Sequence, residues 1–60
     1  MGALFDMKAF FGFLETATEK ELSQKRERLI LFIQRASDES VREEARYLLR
    51  KIEEELLSRL

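Results

Sequence analysis

The chain has sixty residues, eleven Lys or Arg against twelve Asp or Glu, a net charge of −1, and neither Cys, His nor Pro. That composition excludes disulfides and thiolate metal sites, and 45% apolar residues at so small a net charge exclude a disordered tail. A domain this short buries only about 60% of its unfolded surface, and with disulfides and thiolate–metal centres ruled out, association with another chain is the expected source of extra stability.

The residue mixture is helical throughout: many charges of both signs, abundant Leu, Glu, Arg and Ala, and only Gly2 and Gly12 as helix breakers. It predicts one all-α domain over 1–60, with a short helix at about 3–15 followed by a helical hairpin at about 19–35 and 39–58. The N-terminus lacks a signal-peptide pattern. Asp6 stands where a myristoylation signal needs Ser or Thr. No run reaches the roughly 20 apolar residues of a membrane span. A soluble cytoplasmic protein is the expectation.

The first predicted helix contains "LFDMKAFFGFL", Leu4 to Leu14, with four of the five Phe residues. At 100° per residue, Lys8, Gly12 and Glu15 form a narrow polar strip. Leu4, Met7, Phe10, Phe11, Phe13, Leu14 and Ala17 cover more than half the circumference, with Asp6 as the one polar intruder. Gly12 is expected to allow close packing or to end the helix early.

"ATEKEL", Ala17 to Leu22, marks the next joint. Thr18 and Glu21 have capping-box spacing, and Ala17 and Leu22 occupy hydrophobic-staple positions. Fusion of the first two helices is the alternative, since Thr16-Ala17-Thr18 is a weak breaker. The second helix turns Leu22, Leu29, Ile33 and Ala36 to one side, flanked by Ile30 and Phe32, while Leu31 points nearly the other way. The run "LILFI", Leu29 to Ile33, is therefore apolar most of the way round. As a five-residue apolar run it could also be a strand, but its flanks have helical composition.

"ASDESV", Ala36 to Val41, is the second joint, capped by Ser37 or Asp38. A cap at Ser37 would make Ala36 and Val41 a staple. The two joints match loosely at an offset of nineteen residues, as in Leu29/Leu48 and Ile33/Ile52, which suits two similar helices of one hairpin. The third helix carries the clearest stripe: Val41, Ala45, Leu48, Leu49, Ile52, Leu56 and Leu60. Its polar side offers pairs at three- or four-residue spacing: Glu43/Arg46, Arg50/Glu54, Lys51/Glu55 and Glu55/Arg59. Tyr47 lies off the stripe, either as a lone exposed aromatic or as a second contact point.

Two helices with apolar surface on more than one side exceed what one hairpin can cover. The expectation is a homodimeric helical bundle, with a monomeric three-helix bundle as the alternative. The candidate oligomer or partner interface is Leu4, Met7, Phe10, Phe11, Phe13, Leu14, Leu29, Leu31 and Phe32.

Chemistry is sparse. Acid–base and nucleophilic catalysis recruit His, Cys, or Ser beside a base. Ser23, Ser37, Ser40 and Ser58 lie at helix ends or on polar faces. Glu53-Glu54-Glu55 point in three directions on a helix. No catalytic residue, cofactor or metal site is expected, and no enzyme. A protein–protein interaction or regulatory module with an unidentified protein partner is the leading reading.

The competing reading is a dimeric nucleic-acid-binding regulator using Lys25, Arg26, Arg28 and Arg35. Residues 19–36 carry Lys20, Lys25, Arg26, Arg28 and Arg35 against Glu19, Glu21 and Glu27. The chain as a whole is acidic, with pI ≈ 5.4, and Glu21 can pair with Lys25, so a solvated salt-bridged surface is the plainer account. Attachment of the Phe-rich helix to a membrane surface is the weakest reading, because its polar strip carries Lys8 alone rather than a basic row.

Overall fold

The computed structural model describes residues 6–60, which form three α-helices and no strand. Residues 1–5, and with them Leu4 of the candidate interface, lie outside the description.

The first helix, α1, runs Met7–Thr16. It starts later than the expected residue 3 because Asp6 is its N-cap, with extended backbone at φ −80° and ψ 105°. The Asp6 carboxylate accepts from the amides of Lys8 (3.1 Å) and Ala9 (3.2 Å), satisfying two donors that have no partner in the helix itself. The polar intruder in the Phe-rich stretch is thus the residue that starts the helix. Gly12 does not end it, and a Cβ built there meets nothing within 4 Å, so close packing does not explain this glycine either.

Helix α2 spans Glu19–Arg35 behind Thr18. Thr18 Oγ1 accepts from the Glu21 amide at 3.1 Å, and the Glu21 carboxylate accepts from the Thr18 amide at 2.9 Å, completing the capping box. Ala17 and Thr18 both have extended backbone, with ψ of 147° and 166°, so α1 and α2 are separate helices. Both staple residues are buried: Ala17 is 5% and Leu22 0% exposed.

Helix α3 covers Glu39–Ser58. Asp38 is its cap, accepting from the Ser40 amide (2.9 Å), the Ser40 hydroxyl (2.8 Å) and the Val41 amide (3.4 Å). With the cap at Asp38, staple positions fall on Ser37 and Arg42, so the Ala36/Val41 staple does not form here.

Helices α2 and α3 pack side by side as the hairpin. The buried core is Leu14, Ala17, Leu22, Leu29, Ala45, Leu48 and Ile52. Leu22, Leu48 and Ile52 are its largest fully enclosed side chains, each stabilising by roughly 1.5–3 kcal/mol relative to exposure. Met7, Phe10, Phe13, Ile33, Leu49 and Leu56 pack around it, half-buried. The α3 stripe packs as expected through Ala45, Leu48, Leu49, Ile52 and Leu56, but not at its two ends: Val41 is half-buried outside this cluster, and Leu60, beyond the last helical residue Ser58, is 95% exposed.

Arg59, just past α3, hydrogen-bonds the far end of that helix to α1. Arg59 donates from Nη1 to the Ala17 carbonyl (2.6 Å), from Nη2 to the Leu14 carbonyl (2.9 Å) and from Nε to Glu55 (2.9 Å). Leu14 and Ala17 lie at the C-terminal end of α1, where carbonyls have no helical partner.

Candidate interaction surface

The expected interface residues separate into three groups once the chain has packed. Leu14 and Leu29 sit in the chain's own core. Met7, Phe10 and Phe13 are half-buried against that core. Phe11, Leu31 and Phe32 stay at the surface, 40%, 50% and 38% exposed. Leu31 is on the far side of α2 from Leu22 and Leu29, as the helical wheel requires. Phe10 and Phe11 meet edge to face, with ring centroids 5.7 Å apart.

Between α1 and the hairpin lies an open cleft of about 260 Å³. Leu29 and Leu48 belong to its lining, with Phe10 from α1 and Phe32 from α2, and Lys25 and Arg28 at the same site. Two further clefts adjoin it. One reaches Asp6, Ala9 and Phe13, and the other Glu21 and Gln24. Lys25 lines all three. The ammonium of Lys25 sits 5.7 Å from the centre of the Phe13 ring, a contact worth about 0.5–1 kcal/mol at an exposed site.

The four basic residues singled out for nucleic acid divide between two sides of α2. Arg26 bonds Glu53 across the hairpin at 3.2 Å and Glu27 at 3.1 Å. Lys25 and Arg28, three residues apart, line the cleft on the α1 side. Arg35 is exposed in the last turn of α2, two turns beyond Arg28 and on its side of the helix. The Glu21 carboxylate, expected to pair with Lys25, is committed to the Thr18 amide instead.

Sequence reasoning passed over other surface residues. Leu57 is 67% exposed. Of the adjacent Leu56 and Leu57 only one can follow the stripe into the core, which is the signal that Leu57 is free for contact. Leu57 shares an open cleft with Arg26, Glu53 and Leu56 on the flank of the hairpin away from Lys25. Tyr47, 37% exposed, is covered partly by Arg50 and Lys51, at 5.7 and 5.5 Å from its ring centre.

The three consecutive glutamates disperse as helical geometry demands: Glu53 to Arg26, Glu54 to Lys51 (3.6 Å) and Glu55 to Arg59. With Glu55 held by Arg59, Lys51 turns to Glu54, one residue short of the expected partner. Arg46 likewise pairs with Glu39 at 3.7 Å, in place of Glu43. Among the described residues no group of three acidic side chains gathers as metal ligands. None of the described helices is long and apolar enough to cross a membrane.

No family model matches the chain, and neither does any curated protein or solved structure.

Proposed function

We propose that this chain is a non-enzymatic protein–protein interaction module that acts in the cytoplasm as a homodimer. The observation that carries the reading is apolar surface left over after intrachain packing. Phe11, Leu31 and Leu57 remain 40–67% exposed, beside a core to which the described residues contribute only seven buried side chains. One flank of the hairpin suits a two-fold contact. Arg26 and Ile30 lie one turn apart on α2, and Glu53 and Leu57 one turn apart on α3, joined by the Arg26–Glu53 pair. The same flank of a second copy would cover both helices at once and complete a four-helix bundle, the self-complementary geometry of a closed dimer.

Sedimentation equilibrium tests this directly. The expected result is twice the 7.2 kDa chain mass, falling to the monomer in Leu57→Glu. A clean wild-type monomer at tens of micromolar would sink the dimer.

The alternative, a nucleic-acid-binding regulator, draws on Lys25, Arg28 and Arg35, the three basic groups on one side of α2. Arg26 drops out of that set because two carboxylates hold it. Gel-shift titration with mixed RNA and DNA at low salt would favour this reading if binding appeared, weakened steeply with salt, and was lost in Lys25→Ala/Arg28→Ala.

A further inference from the structure

We infer that the cleft between α1 and the hairpin is a docking site for an acidic amphipathic segment of a partner protein. One large apolar side chain of the segment enters beside Phe10, above Leu29 and Leu48, and its carboxylates meet Lys25 and Arg28. The inference rests on the protein-interaction reading but not on the dimer, whose proposed flank lies on the other side of the hairpin.

Three observations on the cleft converge. The first is shape and lining. A cleft of about 260 Å³ formed by all three helices, with Leu29 and Leu48 5% and 1% exposed, offers a desolvated seat for one anchoring side chain. Interfaces concentrate their binding energy in such seats. It is less suited to a whole ligand, since small-molecule pockets run from about 300 Å³ upward and enclose most of their occupant.

The second is charge. Lys25 and Arg28 both line the cleft, and among the described residues neither has a carboxylate within ion-pair distance, whereas Arg26, Arg42, Arg46, Lys51 and Arg59 all do. The sequence explains why. Three and four residues from Arg28 lie Gln24, Lys25, Leu31 and Phe32, none of them acidic. The i−4 neighbour of Lys25 is Glu21, spent on the helix cap. Two cations beside an apolar seat are complementary to a segment with Glu or Asp three or four residues from a Leu, Phe or Trp.

The third is extent. One adjoining cleft continues the surface along α1 past Phe13 and Ala9 to Asp6, and the other runs past Glu21 and Gln24 at the start of α2, so the cations are central and the carboxylates lie at the two ends. That suits further turns of a bound helix rather than an isolated anchor, as in helix-in-groove recognition.

The probe is a synthetic amphipathic helix of about twelve residues, built from Glu and Leu with one central Phe. Its charge-reversed twin carries Lys for Glu. Binding is read by fluorescence polarisation and by chemical-shift mapping on the full chain. The acidic peptide should bind, shift the Phe10 and Phe32 rings, and weaken with added salt. Lys25→Glu/Arg28→Glu, with folding checked by circular dichroism, should weaken it by at least about tenfold. The twin should not bind the wild type and should bind the doubly reversed variant. Failure of the acidic peptide to bind, equal binding of the twin, or indifference to the double reversal would overturn the assignment. So would loss of self-association in the double variant, which would make the occupant a second copy. Loss of nucleic-acid binding in that variant, with peptide binding absent, would give the cations to a phosphate backbone. Sedimentation of the same samples separates the two readings: a dimer that ignores the peptide refutes the cleft alone, and a monomer that binds it refutes the dimer alone.

Discussion

Removing the Arg59 side chain should release α1 from the hairpin before anything else gives way. Its guanidinium donates two bonds, of 2.6 and 2.9 Å, to the Ala17 and Leu14 carbonyls, and the side chain is only 24% exposed. Hydrogen bonds to a charged group contribute about 1.5–3 kcal/mol each when well shielded. In Arg59→Ala, water can reach the freed carbonyls at this edge of the molecule, so about 2 kcal/mol for the pair is a fair expectation. For a domain this small each kcal/mol moves the melting temperature by roughly 4–8 °C, which places the loss at roughly 8–16 °C. Arg59→Lys offers a point charge in place of a planar fork and should recover about half of that. Thermal melts followed by circular dichroism give the magnitude, and amide exchange gives the location: protection should fall across α1 first, with the centre of α3 little changed. An alanine variant melting within about 2 °C of wild type would show that these two bonds do not hold α1 in place. A lysine variant indistinguishable from wild type would show that the fork geometry is irrelevant.

Thr18→Ala removes the acceptor of the Glu21 amide and should cost about 0.5–2 kcal/mol in a chemical-denaturation midpoint series; a Thr18→Ser variant should be nearly neutral. Gly12→Ala should raise stability by about 0.4–1 kcal/mol, since the helix there is right-handed and open space surrounds the new methyl group; a lower melting temperature would place that side of α1 in a tight contact with another chain. Asp38 has a carboxyl held below its ordinary pKa, chiefly by the Ser40 hydroxyl and then by the Val41 and Ser40 amides. Folding therefore favours the ionised form. Its contribution is complete above the ordinary carboxylate range and is lost as pH falls through the lowered folded value. Asp38→Asn keeps a capping oxygen but cannot titrate, so its acid-unfolding curve should lose that component; an unchanged curve would show that the Asp38 cap does not sense pH.

The parts legible in the sequence were those governed by neighbours. Thr18 and Glu21, three residues apart, identify a capping box because each needs only the backbone of the other, and the α3 stripe through Ala45, Leu48 and Ile52 follows from helical period alone. The start of α1 is not legible in the same way, because on a helical wheel Asp6 is only a polar residue in an apolar face. A short carboxylate before a helix has a second use, as acceptor for the free amides. The candidate interface was only partly resolved for a different reason. Periodicity shows that Leu14, Leu29 and Leu31 are apolar, but whether each is covered by its own chain depends on how helices cross. The contact from Arg59 to Leu14 spans 45 residues. Nothing local announces it, since the expected Glu55–Arg59 pair already accounted for the arginine. Composition marks Lys25 and Arg28 as basic, but that Arg26 alone of the three meets Glu53 depends on which side of α2 faces α3.

The joint between α1 and α2 has a consequence for how the molecule comes apart. Ala17 ends one helix, Thr18 begins the next, and no residue lies between them. Ala17 is also buried, and its carbonyl is held by Arg59. The last turn of α1, the cap of α2 and Arg59 are therefore coupled, and loosening one should loosen the others. Proteolytic nicking should accordingly avoid this junction, although it connects two helices in the way a susceptible loop would, and cleavage in the native state should fall at Ser37, whose neighbours carry no such tie to the rest of the fold.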